Sequence, residues 1–99
     1  MRNRTLGGLS FSESDKNAVW KKGIPIPGKD PSVERKDSCG ARMIYTNHGK
    51  TVATGWEIDH IKPKSKGGND AINNLQPLQW ENNRHKADDY PHWQCKHRG

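Results

Sequence analysis

The stretch "GWEIDHIKPKSKGGNDAINNLQPLQWENNRHKAD", residues 55–88, decides the reading of this 99-residue chain. It opens with β-branched and aromatic residues, passes through a loop rich in Lys, Gly and Asn, and closes on a helix-like segment. That last segment holds an oddity, the adjacent Asn82 and Asn83. Asn is a poor helix former because its side chain competes for nearby backbone groups. A helix built only to pack takes Ala, Leu, Glu or Lys there.

Working outward, "RMIYT" and "GWEIDHI" predict two antiparallel strands over residues 42–46 and 55–60, turned at "NHG". Pro63 confines the second strand, since proline cannot continue a ladder. A long loop with a Gly67-Gly68 turn follows, and from Gln76 or Pro77 to about Asp88 the pattern becomes helical. Upstream, "SESDKNAVWKKG" reads as a short helix with Ser12 as N-cap, Asp15 in an approximate capping box and Gly23 at its end. "DPSVERKD" offers Asp30 and Pro31 as N-cap and first residue of a second short helix. Residues 1–11 read as a flexible arm. The expectation is one α+β domain over residues 12–99, with a ββα core over 42–89 and short N-terminal helices.

Hydrophobic residues make up 29% of the chain and mean hydropathy is −1.16, so the core is small and leans on four Trp. Two cysteines, Cys39 and Cys95, are too few for a disulfide scaffold and are expected as thiols in a reducing, cytoplasmic setting. No apolar run approaches signal-peptide or membrane length, so no membrane partner is expected. A net charge of +6 suits a polyanionic partner, and Lys62, Lys64 and Lys66 stand together without an acid between them.

The chemistry concentrates at Asp59-His60. A carboxylate can hold a hard divalent cation, and an imidazole can take a proton from water near neutral pH. In a regular strand the two point to opposite faces, so both serve one phosphate only where the chain bends. Asn83 offers an amide oxygen acceptable to Mg²⁺ or Mn²⁺, ions that keep several waters. Lys86 lies at i+3 from Asn83, on the same helical face. Asn74 can tie loop backbone groups through its side-chain amide.

These residues resemble the HNH endonucleases, whose site is a ββα-metal (His-Me finger) motif. The resemblance runs over residues 55–88 in order and spacing, and includes the glycine-bearing loop, "NLQPL" and the final lysine. "CGARMIY" before it is similar to the lead-in of compact members. The resemblance implies that Asp59 and Asn83 bind one divalent metal, Mg²⁺ or Mn²⁺. It makes His60 the general base that activates water, and Asn74 the motif's middle letter that orients the loop and base. Lys86 matches a lysine near the phosphate or supporting the site. His85 lies two residues past the last-letter position and is expected to face solvent or DNA.

Many members also carry two CxxC pairs around a structural zinc. Here Gln79 and Asn82 stand at the helix positions and only Cys39 remains upstream, so no such zinc is expected. The tryptophans Trp20, Trp56, Trp80 and Trp93 are expected to supply the core instead. His92, Cys95 and His97 invite a zinc hypothesis with Cys39, but lack the paired ligands of structural sites.

The implied function is a metal-dependent endonuclease on double-stranded DNA, nicking as a monomer. Lys62, Lys64, Lys66, Arg84 and Lys86 would contact nucleic acid. The alternative is a non-catalytic basic nucleic-acid-binding module on the same scaffold, which would need neither Asp59 nor His60. Small stand-alone relatives are frequent in phages.

Overall fold

The computed structural model describes residues 2–99. Ser12 starts the first helix as its hydroxyl chemistry predicts: its Oγ accepts the Asp15 N–H at 3.0 Å, and α1 runs Glu13–Trp20. Val19 and Trp20 are its buried residues, and the Gly23 N–H closes its exit on the Trp20 carbonyl.

Two small antiparallel sheets follow. The first joins β1 (Ile24–Pro25), β2 (Glu34–Lys36) and β3 (Arg42–Ile44) in that order. The second pairs β4 (Trp56–His60) with β5 (Leu75–Gln79), and α2 (Trp80–Lys86) leaves directly from β5. The architecture is α+β, and the second sheet with α2 forms a ββα unit. Val19, Trp20, Met43, Trp56, Ile58 and Leu75 make the apolar core, so α1 and both sheets close on one another, with Phe11 and Tyr45 packed at its edge.

Three expectations are corrected by the structure. The strand at 42–46 does not pair as a ladder with the strand at 55–60: β3 pairs with β2, Glu34 opposite Ile44, while toward β4 there are an isolated bridge of His48 with Trp56 and a bond from the Ile44 N–H to the Thr54 carbonyl. The "NHG" region begins in a 3-10 turn, Tyr45–Asn47, rather than a hairpin turn. The true partner of β4 is "LQPLQ", expected as the start of the helix. Pro77 explains the difference, because a proline disfavours helical geometry in the residue before it. Pro77 sits opposite Ile58, whose N–H turns outward to Asn3 Oδ1 at 2.8 Å, so the missing proline donor costs the ladder nothing. Gln79 then caps α2, its side chain accepting from the Glu81 and Asn82 N–H groups.

Asp30 and Pro31 likewise start only a single turn. Asp30 Oδ1 accepts from the Ser32 N–H and hydroxyl, the Val33 and Glu34 N–H groups return to the Asp30 carbonyl, and the chain passes straight into β2. Pairing on both sides of β2 outweighs the local helix signal.

The cysteines are also corrected: Cys39 and Cys95 form a disulfide across 56 residues of sequence. The bond ties the C-terminal tail beside α2 and takes both sulfurs out of any zinc site. Of the four tryptophans, Trp20 and Trp56 are core, while Trp80 and Trp93 are only half-buried.

Candidate active site

Strand β4 ends at the rim of an open cleft of about 620 Å³, lined by Asp59, His60, Lys64, Asn83 and Arg84 together with residues of the N-terminal segment. No bend brings the neighbouring strand residues together: both stay in the ladder and line the cleft from the two sides of the strand's end. Asp59 and His60 occupy its last two positions, and Pro63 follows.

The loop between the strands holds its shape through Asn74. Its Oδ1 accepts the Lys62 N–H at 2.9 Å, and its Nδ2 donates to the Lys62 and Asn69 carbonyls at 3.0 and 2.8 Å. The Ile61 N–H reaches the Asn74 carbonyl at 2.8 Å. One side chain thus closes a long connection into a hairpin, the loop-tying job its amide suggests. Gly67 has φ 89°, and a Cβ on Gly68 would fall 1.6 Å from the Lys62 carbonyl oxygen, so this turn requires glycine twice.

Asp59 is 6% exposed. Its Oδ2 accepts from Gln76 Nε2 at 2.9 Å, and Lys86 Nζ lies 3.3 Å from Oδ1 and 3.2 Å from Oδ2. Burial pushes its carboxyl above the ordinary aspartate value, against the opposing pull of the Gln76 hydrogen bond, Lys86 and His60. Lys86 is 1% exposed and also donates to the His60 carbonyl at 3.1 Å. The expected contact of Lys86 with nucleic acid is therefore corrected. Its ammonium is buried against Asp59, and it supports the strand end from beneath.

Asn83 reaches the same cleft from α2. Its Nδ2 donates to Glu57 Oε1 at 2.9 Å, while its Oδ1 takes no partner among the described residues. Glu57 lies two residues before Asp59 on the same strand face, where Arg84 also meets its Oε2 at 3.2 Å. Arg84 stays exposed, stacked at 5.1 Å over the Trp80 ring. Lys62, Lys64 and Lys66 are exposed on the loop, but only Lys64 lines the cleft. His85 is exposed.

His60 is 9% exposed, and its Nε2 lies 2.7 Å from Asp70 Oδ1. The sequence motif assigns no role to Asp70, Gln76 or Glu57. Only Glu57 carried a signal, its i−2 relation to Asp59. The residues expected as a flexible arm make contacts with the body: the Leu6 N–H donates to both Asp70 oxygens, and Asn3 Oδ1 accepts from the Ile58 N–H and meets His48 Nε2 at 2.9 Å.

The donor set fits a hard divalent ion. Asp59 and Asn83 line one cleft, Asn83 Oδ1 takes no partner among the described residues, and an ionised carboxylate keeps lone pairs beyond those met by Gln76 and Lys86. Among the described residues no three His, Cys, Asp or Glu side chains converge as a ligand cluster. A metal here would rest on the carboxylate–amide pair, with water completing its shell. The Lys86 ammonium already brings one positive charge to Asp59.

Asn82, the other member of the doublet, does different work. It is fully buried, donates to Asp37 Oδ2 at 2.9 Å and to the His97 carbonyl at 2.7 Å, and accepts from the Lys96 and His97 N–H groups at 2.8 and 2.7 Å. Asp37, 1% exposed, also accepts from the Cys39, Ala41 and Gln79 N–H groups. This polar hub joins the first sheet's hairpin, the start of α2 and the tail.

A family model described as HNH endonuclease matches residues 38–89. No curated protein and no solved structure matches the chain.

Proposed function

The chain belongs to the HNH endonuclease family, and from that premise we propose that it hydrolyses phosphodiester bonds in double-stranded DNA with one divalent metal, Mg²⁺ or Mn²⁺. Membership alone implies a nuclease acting on nucleic acid; the substrate, the metal and the residue roles are the proposal. The observation that carries it is the meeting of Asp59, His60 and Asn83 at one cleft, although two of them are strand neighbours.

In this reading Asp59 and Asn83 hold the metal, which would offset charge on the phosphate and on the departing oxygen. His60, neutral, takes a proton on Nδ1 from a water, and that water's oxygen forms the new bond to phosphorus. The bond from phosphorus to the 3′-oxygen breaks, and the 3′-oxygen takes up a proton from solvent, leaving 5′-phosphate and 3′-hydroxyl ends. Asn74 keeps the loop in the shape that holds His60 at the strand end. Lys62, Lys64, Lys66 and Arg84 contact phosphates, positioning the duplex without reading sequence. One site cuts one strand, so a monomer nicks.

The test is plasmid relaxation with Mg²⁺, with Mn²⁺ and with EDTA, using wild type, His60→Ala and Asn83→Ala. Metal-dependent nicking that either substitution lowers by about 100-fold or more supports the assignment. Cleavage in EDTA, or full activity in His60→Ala, overturns it. DNA retention without nicking under every metal assigns the chain to the binding-module alternative.

A further inference from the structure

We propose that Asp70 is a positioning residue for His60, and that the N-terminal segment holds Asp70 in place through the Leu6 N–H. The inference rests on the nuclease reading for its catalytic meaning, but its geometric content stands apart from activity.

The contact is short and directional. Asp70 Oδ1 lies 2.7 Å from His60 Nε2, and a carboxylate can only accept, so Nε2 carries the hydrogen. That fixes the neutral tautomer and leaves the Nδ1 lone pair as the ring's base. An imidazole oriented this way loses neither its aim nor its tautomer to thermal rotation of the ring, which is what a carboxylate contributes in other acid–histidine pairs. Phe11, 6.0 Å from the His60 ring between centroids, narrows the space on one side.

Asp70 itself is 40% exposed and sits at the far end of a loop, so it would not hold its place by packing. The Leu6 N–H supplies the hold, at 3.1 and 3.2 Å to the two carboxylate oxygens. Leu6 is fixed in turn: the Gly8 N–H returns to the Thr5 carbonyl at 2.9 Å, and the Leu9 N–H meets Thr5 Oγ1 at 3.1 Å. Asn3 anchors the same segment to β4 through the Ile58 N–H. The N-terminal segment is thus a strap along the cleft. Its polar hold on His60 runs through Asp70, and Phe11 adds a direct contact with the ring.

The turn geometry makes a clean perturbation available. Leu6 is the second residue of the Thr5–Gly8 turn, a position where proline is favoured, so Leu6→Pro removes the N–H while suiting the turn. Leu6→Ala keeps the N–H and is the control.

Two measurements on the full-length protein test the proposal. The first is ¹⁵N spectroscopy of the His60 ring at alkaline pH, which reads which ring nitrogen carries the hydrogen. Wild type should show the Nε2–H tautomer, and Asp70→Ala should show both tautomers. Nδ1–H in the wild type, or no change in Asp70→Ala, overturns the proposal whether or not the protein cuts DNA. The second is steady-state nicking. Asp70→Ala should lower kcat by about 10- to 100-fold with KM for DNA little changed, Asp70→Glu should recover part of the loss, and Leu6→Pro should fall several-fold below Leu6→Ala. A rise in KM with kcat intact makes Asp70 a substrate contact and overturns its positioning role. Equal rates in the two Leu6 variants overturn the strap. A wild type that nicks nothing defeats the nuclease reading, and the tautomer measurement then decides Asp70 by itself.

Discussion

Replacing Asn82 with Ala should destabilise the fold strongly. The side chain is fully buried and makes four hydrogen bonds, one of them to the buried Asp37 carboxylate. Bonds to charged groups are worth about 1.5–3 kcal/mol and neutral ones about 1 kcal/mol, and the backbone groups of Lys96 and His97 regain part of theirs from water once the tail loosens. The expected loss is therefore about 3–4 kcal/mol, a large share of the 5–15 kcal/mol that holds a typical domain together. For a chain of this length that lowers Tm by roughly 12–30 °C. Urea unfolding of the oxidised protein measures the loss, and hydrogen exchange at the Lys96 and His97 amides locates it. Asn82→Asp should be worse than Asn82→Ala, because it sets a second carboxylate against Asp37 Oδ2. A loss below about 1 kcal/mol in Asn82→Ala, with the tail amides still protected, would refute the hub.

Lys86 and Lys64 should separate fold from DNA contact. Lys86→Met leaves the Asp59 carboxylate buried without its cation and should cost about 3–5 kcal/mol in urea unfolding, whereas Lys64→Ala should leave stability intact and reduce the salt dependence of DNA binding by about one phosphate contact. A stable Lys86→Met protein with a reduced salt slope would return Lys86 to the DNA surface. His48 predicts the acid limb of stability. Burial, helped by Lys16, holds its pKa below the ordinary imidazole value against Glu13 and Glu57, so the unfolded chain binds the proton first. Its contribution is complete above the unfolded pKa, near 6.5, and drains away as pH falls through the lower folded value. His48→Gln should flatten Tm between about pH 6.5 and pH 5 relative to wild type, and parallel curves would remove His48 as the cause.

What the sequence made legible was the chemistry-bearing order of residues rather than the pairing of strands. A short motif fixes the spacing of Asp59, His60, Asn74 and Asn83, and Asp59, His60 and Asn83 line one cleft, with their roles there the proposal. Asn74's hydrogen bonds to both ends of the loop follow from what an amide can do. The β4–β5 hairpin was hidden because a 14-residue connection separates its strands and because "LQPLQ" lacks β-branched residues. Pro77 was the available signal. The disulfide was hidden for a different reason: two cysteines 56 residues apart carry no spacing signature, and only the tail's course over α2 brings them together. Asp70 was invisible because its partner, Leu6 N–H, is a backbone group 64 residues away.

The same long-range contacts answer how consecutive strand residues can serve one cleft. Alternation sends Asp59 and His60 to different sides of β4, and the fold uses both sides instead of abolishing the alternation. Asp59 turns with Glu57 toward α2, where Lys86, Arg84 and Asn83 meet the two carboxylates, and Gln76 joins from β5. His60 turns toward the loop and the N-terminal segment, where Asp70 and Phe11 meet it and the Leu6 N–H holds Asp70. The strand ends there, so the two sides become the two walls of one opening. This division explains why α2 tolerates Asn at both positions of the doublet. Asn83 aims at the acidic wall. Asn82, one residue and about 100° earlier on the helix, aims the other way into Asp37 and the tail. A poor helix former at each position is sustained because tertiary hydrogen bonds, not helix propensity, hold this short helix in place.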